Sequence, residues 1–256
     1  MKIIVPIQQI FDPKQIRVSS QGRVVTGGAS RVIEAASKAA LEEALRLKDE
    51  LGGTVDVVAL GEADVEESLR EAQAMGADQA YLLCDSAFSG GDASATAYAL
   101  SVAMQRIGGF DLVAVGEGGA ISGPMLAEFL GLPQVTHAAT ARVDANGRLV
   151  ADQRWDRGVR QVRVALPALI AVAADANTPR YAHSARVMSV FSEPTLTVWT
   201  AADLGLEESQ VGSQGAKTEV RRTAVPDARV LGERITGTPE EQARSLVGKL
   251  RAKGLL

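Results

Sequence analysis

The chain has 256 residues, 46% of them hydrophobic and 23% charged, with a formal net charge of −4. This length and apolar share support one large α/β domain, with or without an appendage, while the acidic balance disfavours a broad nucleic-acid or anionic-membrane surface. One cysteine, Cys84, excludes an internal disulfide and fits a reducing compartment.

The chain opens on an apolar strand, residues 3–7, with no signal-peptide regions ahead of it. No apolar run approaches the roughly 20 residues that span a bilayer, so the expected location is the cytoplasm. Residues 16–18 and 23–25 alternate around Ser20-Gln21-Gly22 as a short hairpin does. From 29 to 50 the period becomes helical, with Val32, Ile33, Ala36, Ala40, Leu41, Ala44, Leu45 and Leu47 on an apolar face. Glu42, Glu43, Arg46, Lys48 and Asp49 are expected mainly opposite it. Residues 55–60 form a second strand, 65–75 a helix, 80–84 a strand, 86–92 a loop and 93–107 a helix.

The most informative stretch follows. The apolar run Leu112-Val113-Ala114-Val115 leads into Gly116-Glu117-Gly118-Gly119-Ala120-Ile121-Ser122-Gly123, and then into an amphipathic run over 124–130 closed by Gly131. This reads as a buried strand, a glycine-rich turn, and a short helix capped by Ser122 with proline in its first turn. The N–H groups at such a helix start can hold an anion, although a tight connection using glycine only for its backbone freedom has the same pattern. Strands alternating with helices imply a mostly parallel sheet covered on both faces, with ligands beyond the carboxyl ends of its strands. Three of those ends, at Pro6, at Leu60-Gly61 and at 116–123, form one pocket if they converge.

Beyond Pro133 the pattern changes to an antiparallel meander: residues 138–143, 149–154 and 159–164, with turns at 144–147 and 156–158. Arginines 154, 157, 160 and 163 make a basic stripe that suits a partner's carboxylates or simply solvent. Residues 168–174 form a further buried strand, and a loop runs from Asn177 to Met188. The chain therefore divides into an α/β nucleotide-binding-like domain over 1–192 and an arm over 193–256. The arm has little core-like density, an exposed Trp199, and a terminal helix over 239–253 with Ala243, Leu246, Val247 and Leu250 on one face. Such an arm needs a second surface to lie on, and another subunit is the better fit.

Catalytic constellations are missing. His137 and His183 have no Cys or carboxylate at ligand spacing. There is no Gly-x-Ser-x-Gly elbow and no Walker phosphate loop. Cys84 ends an apolar strand as an inert core residue would.

The order of segments resembles the β subunit of electron-transfer flavoproteins, the family that includes FixA-type proteins, over nearly the whole chain. The resemblance rests on residues 40–47 (Ala-Leu-Glu-Glu-Ala-Leu-Arg-Leu), on 72–78 and on Phe110-Asp111-Leu112-Val113. It continues through Met125-Leu126-Ala127, 130–134, Leu166-Pro167-Ala168-Leu169, Asn177-Thr178-Pro179-Arg180-Tyr181-Ala182 and Ala202-Asp203-Leu204-Gly205-Leu206. It implies a Rossmann-like fold and a heterodimer with an alpha subunit that holds most of the FAD, with no self-contained catalysis in this chain. Electrons would pass from a dehydrogenase to a quinone reductase or another acceptor. It also implies an AMP site at Pro6, Leu60, Gly116, Gly118, Gly119, Ser122 and Gly123, a flavin-proximal position at Ala36 and Ser37, and a dehydrogenase-docking loop including Arg180, Tyr181, Ser184 and Met188. No metal site is implied.

Departures from the family pattern qualify this. Glu34-Ala35-Ala36-Ser37 stand where the family has Asn-Pro-aromatic-Asp, and Pro6-Ile7-Gln8 where it has Ala-Val-Lys. The 116–123 loop is shorter than the family's, with Ile121-Ser122-Gly123 at its Gln-Thr-Gly positions. A phosphate needs several N–H donors or a cation, so the expectation is an AMP site weakened or lost. The alternative is a rearranged cradle at Gly118, Gly119, Ser122 and Gly123. Ser184 replaces the docking loop's leucine and the basic run after it is absent, which points to a donor other than a general acyl-CoA dehydrogenase. A nucleotide-binding regulatory protein of similar topology, resembling a stress-type sensor, is the competing reading.

Overall fold

Residues 1–19, 23–192, 196–222 and 232–256 are described in the computed structural model of the chain. Strand β1 (Lys2–Pro6) is buried from Ile3 onward. It is followed by β2 (Gln9–Phe11) and by the hairpin of β3 (Arg17–Val18) and β4 (Val24–Val25). The hairpin's expected turn, 20–22, lies outside the described residues. Next comes β5 (Arg31–Ile33), antiparallel to β2, so helix α1 begins only at Ala35 and runs to Leu51. This corrects the helix expected from residue 29. Val32 and Ile33 suit either period, and pairing with Gln9–Phe11 decides for strand.

The alternation then proceeds as the periodicities predict: β6 (Thr54–Leu60), α2 (Val65–Met75), β7 (Gln79–Leu83), α3 (Ala93–Ile107), β8 (Leu112–Gly116) and α4 (Gly123–Leu130). The meander is β9 (Gln134–Val143), β10 (Leu149–Trp155) and β11 (Gly158–Val164), and β12 (Ala168–Val172) returns to the sheet. A second correction falls at α5 (Ser184–Ser192), helical where a loop was expected. It packs on α2, and Arg70 Nη1 donates to the Val190 carbonyl at 2.7 Å. Strand β13 (Leu196–Trp199), the single turn α6 (Gly212–Gly215) and α7 (Pro239–Ala252) complete the chain.

The described strands form a nine-stranded sheet in the order β11-β10-β9-β12-β8-β1-β6-β7-β13. β10 is antiparallel to both its neighbours, and the other pairings are parallel. β1, β6 and β7 step one way from the centre, while β8 and β12 step the other. The order therefore reverses between β1 and β8, as in a doubly wound α/β fold. Alternate β1 residues serve two cores: Ile3 and Val5 pack with α1 and α2 residues, Ile4 with residues of α3 and α4.

The tail is less bare than its composition suggests. β13 adds to the sheet beside β7, and Trp199 stacks on Tyr81 with ring centroids 4.9 Å apart, with Arg106 over its other side. Trp199 is thus partly covered, not exposed as expected. Ala201, Leu204, Leu206 and Val211 join the second core. Two aspartates fasten this segment. Asp85 accepts from Ala87 N and Ala201 N at 3.0 Å each. Asp92 caps α3 through Ser94 N and Ala95 N and also accepts from Lys217 N, Thr218 N and the Thr218 hydroxyl. α7 differs: a Thr238–Glu241 capping box forms it, yet none of its residues is buried.

The N–H donors around Asp92, led by Ala95 N and followed by Lys217 and Thr218, bring its pKa down from 3.8 to about 2. Because the folded value is the lower one, the fastening is complete above the unfolded value of 3.8 and is lost as pH falls towards about 2. Asp92→Ala is expected to free the tail at neutral pH, read as several-fold faster tryptic cleavage at Lys217 with little change in sheet content by circular dichroism.

Candidate functional site

The switch point is built around Gly116, the last residue of β8. A Cβ there would lie 2.4 Å from the Ala36 carbonyl carbon and 2.6 Å from Ser37 N. Only glycine lets the first turn of α1 settle onto the strand end, and this contact, not a left-handed turn, is what requires it. Ala36 and Ser37 are accordingly buried, as is Pro6 on the neighbouring strand. The Ser37 hydroxyl accepts from Gln8 N at 3.1 Å, tying α1 to the chain just past β1. Pro6, Ala36, Ser37 and Gly116 are thus brought together.

The glycine-rich turn completes this wall. Ser122 caps α4, its hydroxyl accepting from Met125 N at 3.5 Å, with proline next in the helix as the sequence predicts. Gly123 is buried against Val115 and Ala171. Gly118 has φ +78 and open space around it. Gly119 does not: a Cβ there would sit 2.2 Å from Glu34 Oε2. The Glu34 carboxylate, projecting from the residue that precedes α1, therefore lies against the turn. Burial raises its pKa above 4.5, opposed by its hydrogen bond with Ser37. Glu117 turns aside to accept from His137 N at 3.0 Å, and His137 takes a left-handed φ of +52 there.

Leu60 is the last residue of β6, the strand beside β1. It lines a cavity of about 510 Å³ with Gly61, Glu62, Ala63, Cys84, Asp85, Ser86, Phe88 and Ser89 at the ends of β6 and β7. Neither Pro6 nor the 116–123 turn belongs to that lining. Cys84, expected in the core, is half-buried at this cavity.

The loop over 177–188 rests on α1. Glu42 Oε2 accepts from Arg180 N at 3.0 Å and Nε at 2.9 Å, and Arg180 Nη2 reaches Glu42 Oε1 and Asp49. Burial works against the ionised Glu42, yet the bonds from Arg180 and Arg46 hold its pKa below the usual carboxylate range. Glu43 accepts from Ala141 N on β9 and from the Asn177 amide. Both glutamates are buried, which corrects their expected place opposite the apolar face. A helical wheel counts them as solvent-facing, and the partners that reverse this are more than 90 residues away. Beyond the clamp, Tyr181 is 97% exposed and Met188 74%, with Ser184 also exposed at the start of α5. Among the described residues no cluster of His, Cys, Asp or Glu could hold a metal, and no described helix is long and apolar enough to cross a membrane.

The close approach at Gly116 sets an expectation. Gly116→Ala should overpack the α1 contact and destabilise the chain by about 1–3 kcal/mol or more, since both neighbours there are backbone. A lowered denaturant midpoint with unchanged slope is the readout.

Comparison with known proteins follows the same outline. The electron transfer flavoprotein domain pattern matches residues 21–203. The chain is 33% identical over its full length, and that of the relative, to the electron transfer flavoprotein subunit beta of Thermoanaerobacterium thermosaccharolyticum. It is 34% identical, again over both full lengths, to the caffeyl-CoA reductase-Etf complex subunit CarD of Acetobacterium woodii. With the protein FixA of Bradyrhizobium diazoefficiens the identity is 35%, over 96% of this chain and 90% of the relative. This chain belongs to the electron transfer flavoprotein family, among its beta subunits.

Proposed function

We propose that the chain is one half of a heterodimer in which an alpha subunit holds most of an FAD, and that the pair carries electrons from a dehydrogenase to a quinone-reductase-type acceptor. The observation carrying this reading is the end-to-end match to beta subunits. The flavin supplies the redox chemistry when bound. What this chain contributes is surface. Ala36 and Ser37, the flavin-proximal candidates, are buried, and the Ser37 hydroxyl is engaged with Gln8 N. They shape the wall from within and leave the holding of the cofactor to the partner.

The division of the chain follows. The tail as far as Thr218 is fastened to its own domain, so α7, with Leu246 and Val247 exposed, is the part that packs on the alpha subunit. Tyr181, Ser184 and Met188, carried on the Glu42–Arg180 clamp, form the surface for the donor.

The nucleotide site in this reading is weakened or lost. Two carboxylates, Glu34 and Glu117, border the 116–123 turn, the turn itself has no cation, and Glu34 covers Gly119. A phosphate would meet repulsion from both carboxylates there.

Co-expression with an alpha subunit should yield a yellow complex whose acid extract contains FAD and far less than one equivalent of AMP; stoichiometric AMP would refute the weakened site, and a colourless monomer the subunit reading itself. Medium-chain acyl-CoA dehydrogenase should reduce the complex poorly, because the leucine anchor is replaced by Ser184. Efficient turnover with that enzyme would count against the altered docking surface.

A further inference from the structure

On the antiparallel side of the sheet a groove of about 680 Å³ is lined by Pro124, by residues 134–136 of β9, by Gln153 and by residues 160–163 of β11. Its basic side chains are Arg160 and Arg163, and its lining includes no carboxylate.

Arg160 is held unusually well for an exposed side chain. Its Nε donates to Gln153 Oε1 at 2.6 Å, from the position directly opposite on β10. Gln153 is itself only 5% exposed, and its amide donates to the Thr136 carbonyl at 2.8 Å and hydroxyl at 3.1 Å. On its other side the guanidinium lies 4.5 Å from the ring centroid of Trp155. Trp155 faces Gly158 across the ladder, so no opposing side chain keeps the indole from Arg160. One edge of the guanidinium is thus fixed, and its Nη groups make no hydrogen bond or ion pair with any described residue.

The amide of the buried Gln153 bridges to β9 beside the shift in the β9–β10 register, and its oxygen holds the surface arginine. This prepares a planar fork for a planar anion. Bidentate pairing with a carboxylate uses the two N–H directions left free, and an arginine already immobilised loses less entropy on pairing. The surroundings suit a protein chain better than a small ion. β11 is the outer strand at this end of the described sheet, and Trp155, on the face of Arg160, is 59% exposed. Aromatic and arginine side chains together are the usual anchors of interfaces.

We propose that this groove is a docking site for an Asp- or Glu-bearing segment of the alpha subunit, with Arg160 as the carboxylate anchor. The proposal rests on the heterodimer reading above.

Sedimentation of the co-expressed complex across a dilution and salt series tests it. Arg160→Ala should weaken subunit association at least about tenfold and flatten its salt dependence, without moving the melting temperature of the isolated beta chain. Arg160→Lys should recover only part of the loss, since an ammonium cannot form the fork. Gln153→Met should reproduce much of the defect although Arg160 remains. Association within twofold of wild type in Arg160→Ala would overturn the proposal while leaving the heterodimer intact. Full recovery by Arg160→Lys would overturn the fork. A wild-type chain that pairs with no alpha subunit would overturn both readings.

Discussion

The contact between Gly116 and the first turn of α1 governs the rest of the architecture. With no side chain at the end of β8, helix α1 crosses the point where strand order reverses and lies on β8, β1 and β12 together. Four of the chain's polar contacts hang from or just ahead of that helix. Glu34 precedes its first turn, Ser37 binds the chain beyond β1, and Glu42 and Glu43 reach the 177–181 segment and β9. A larger residue at 116 would lift the helix and move all four groups at once.

Burying carboxylates on such a helix is costly unless each finds donors. Glu42 and Glu43 do, from Arg180, Arg46, Ala141 N and the Asn177 amide, so they fix loop and strand positions relative to the helix. Glu34 is less well supplied, with Ser37 as the hydrogen-bonding group that opposes its burial. The helix therefore carries two well-paired carboxylates that order a surface, and the residue just ahead of it sets one poorly paired carboxylate against a glycine turn. The first arrangement stabilises the fold. The second spends stability at the switch point, where doubly wound proteins usually place a ligand.

The sheet and its helices were legible in the sequence because each element from β6 to α4 satisfies one period clearly and ends on glycine, proline or a capping residue. The Ser122 cap and Gly116 turn belong to that legible part. What escaped has a common cause, a partner distant along the chain. Residues 31–33 fit strand or helix until β2 is placed beside them, and Leu204, Leu206 and Val211 look isolated until α3 is found beneath them. α5 is short, and its packing on α2 more than a hundred residues earlier settles it. In the site, spacing pointed to Gly116, Gly118, Gly119, Ser122 and Gly123 but gave no signal that Glu34 covers Gly119, because a side-chain direction has no period.

The two edges of the sheet are finished in opposite ways, which bears on how the chain meets others. At one end β13 is four residues long and is flanked by the Trp199–Tyr81 stack, Arg106 and the segment held by Asp85 and Asp92. A short edge of this kind offers few groups for pairing with a stranger. At the other end β11 spans seven residues and is largely exposed, guarded by charge alone. A solitary protein can protect such an edge with any mixture of lysine and arginine. The two edges thus differ in kind: β13, from the chain's own tail, covers the edge of β7, while β11 carries an arginine held by a buried glutamine and an indole.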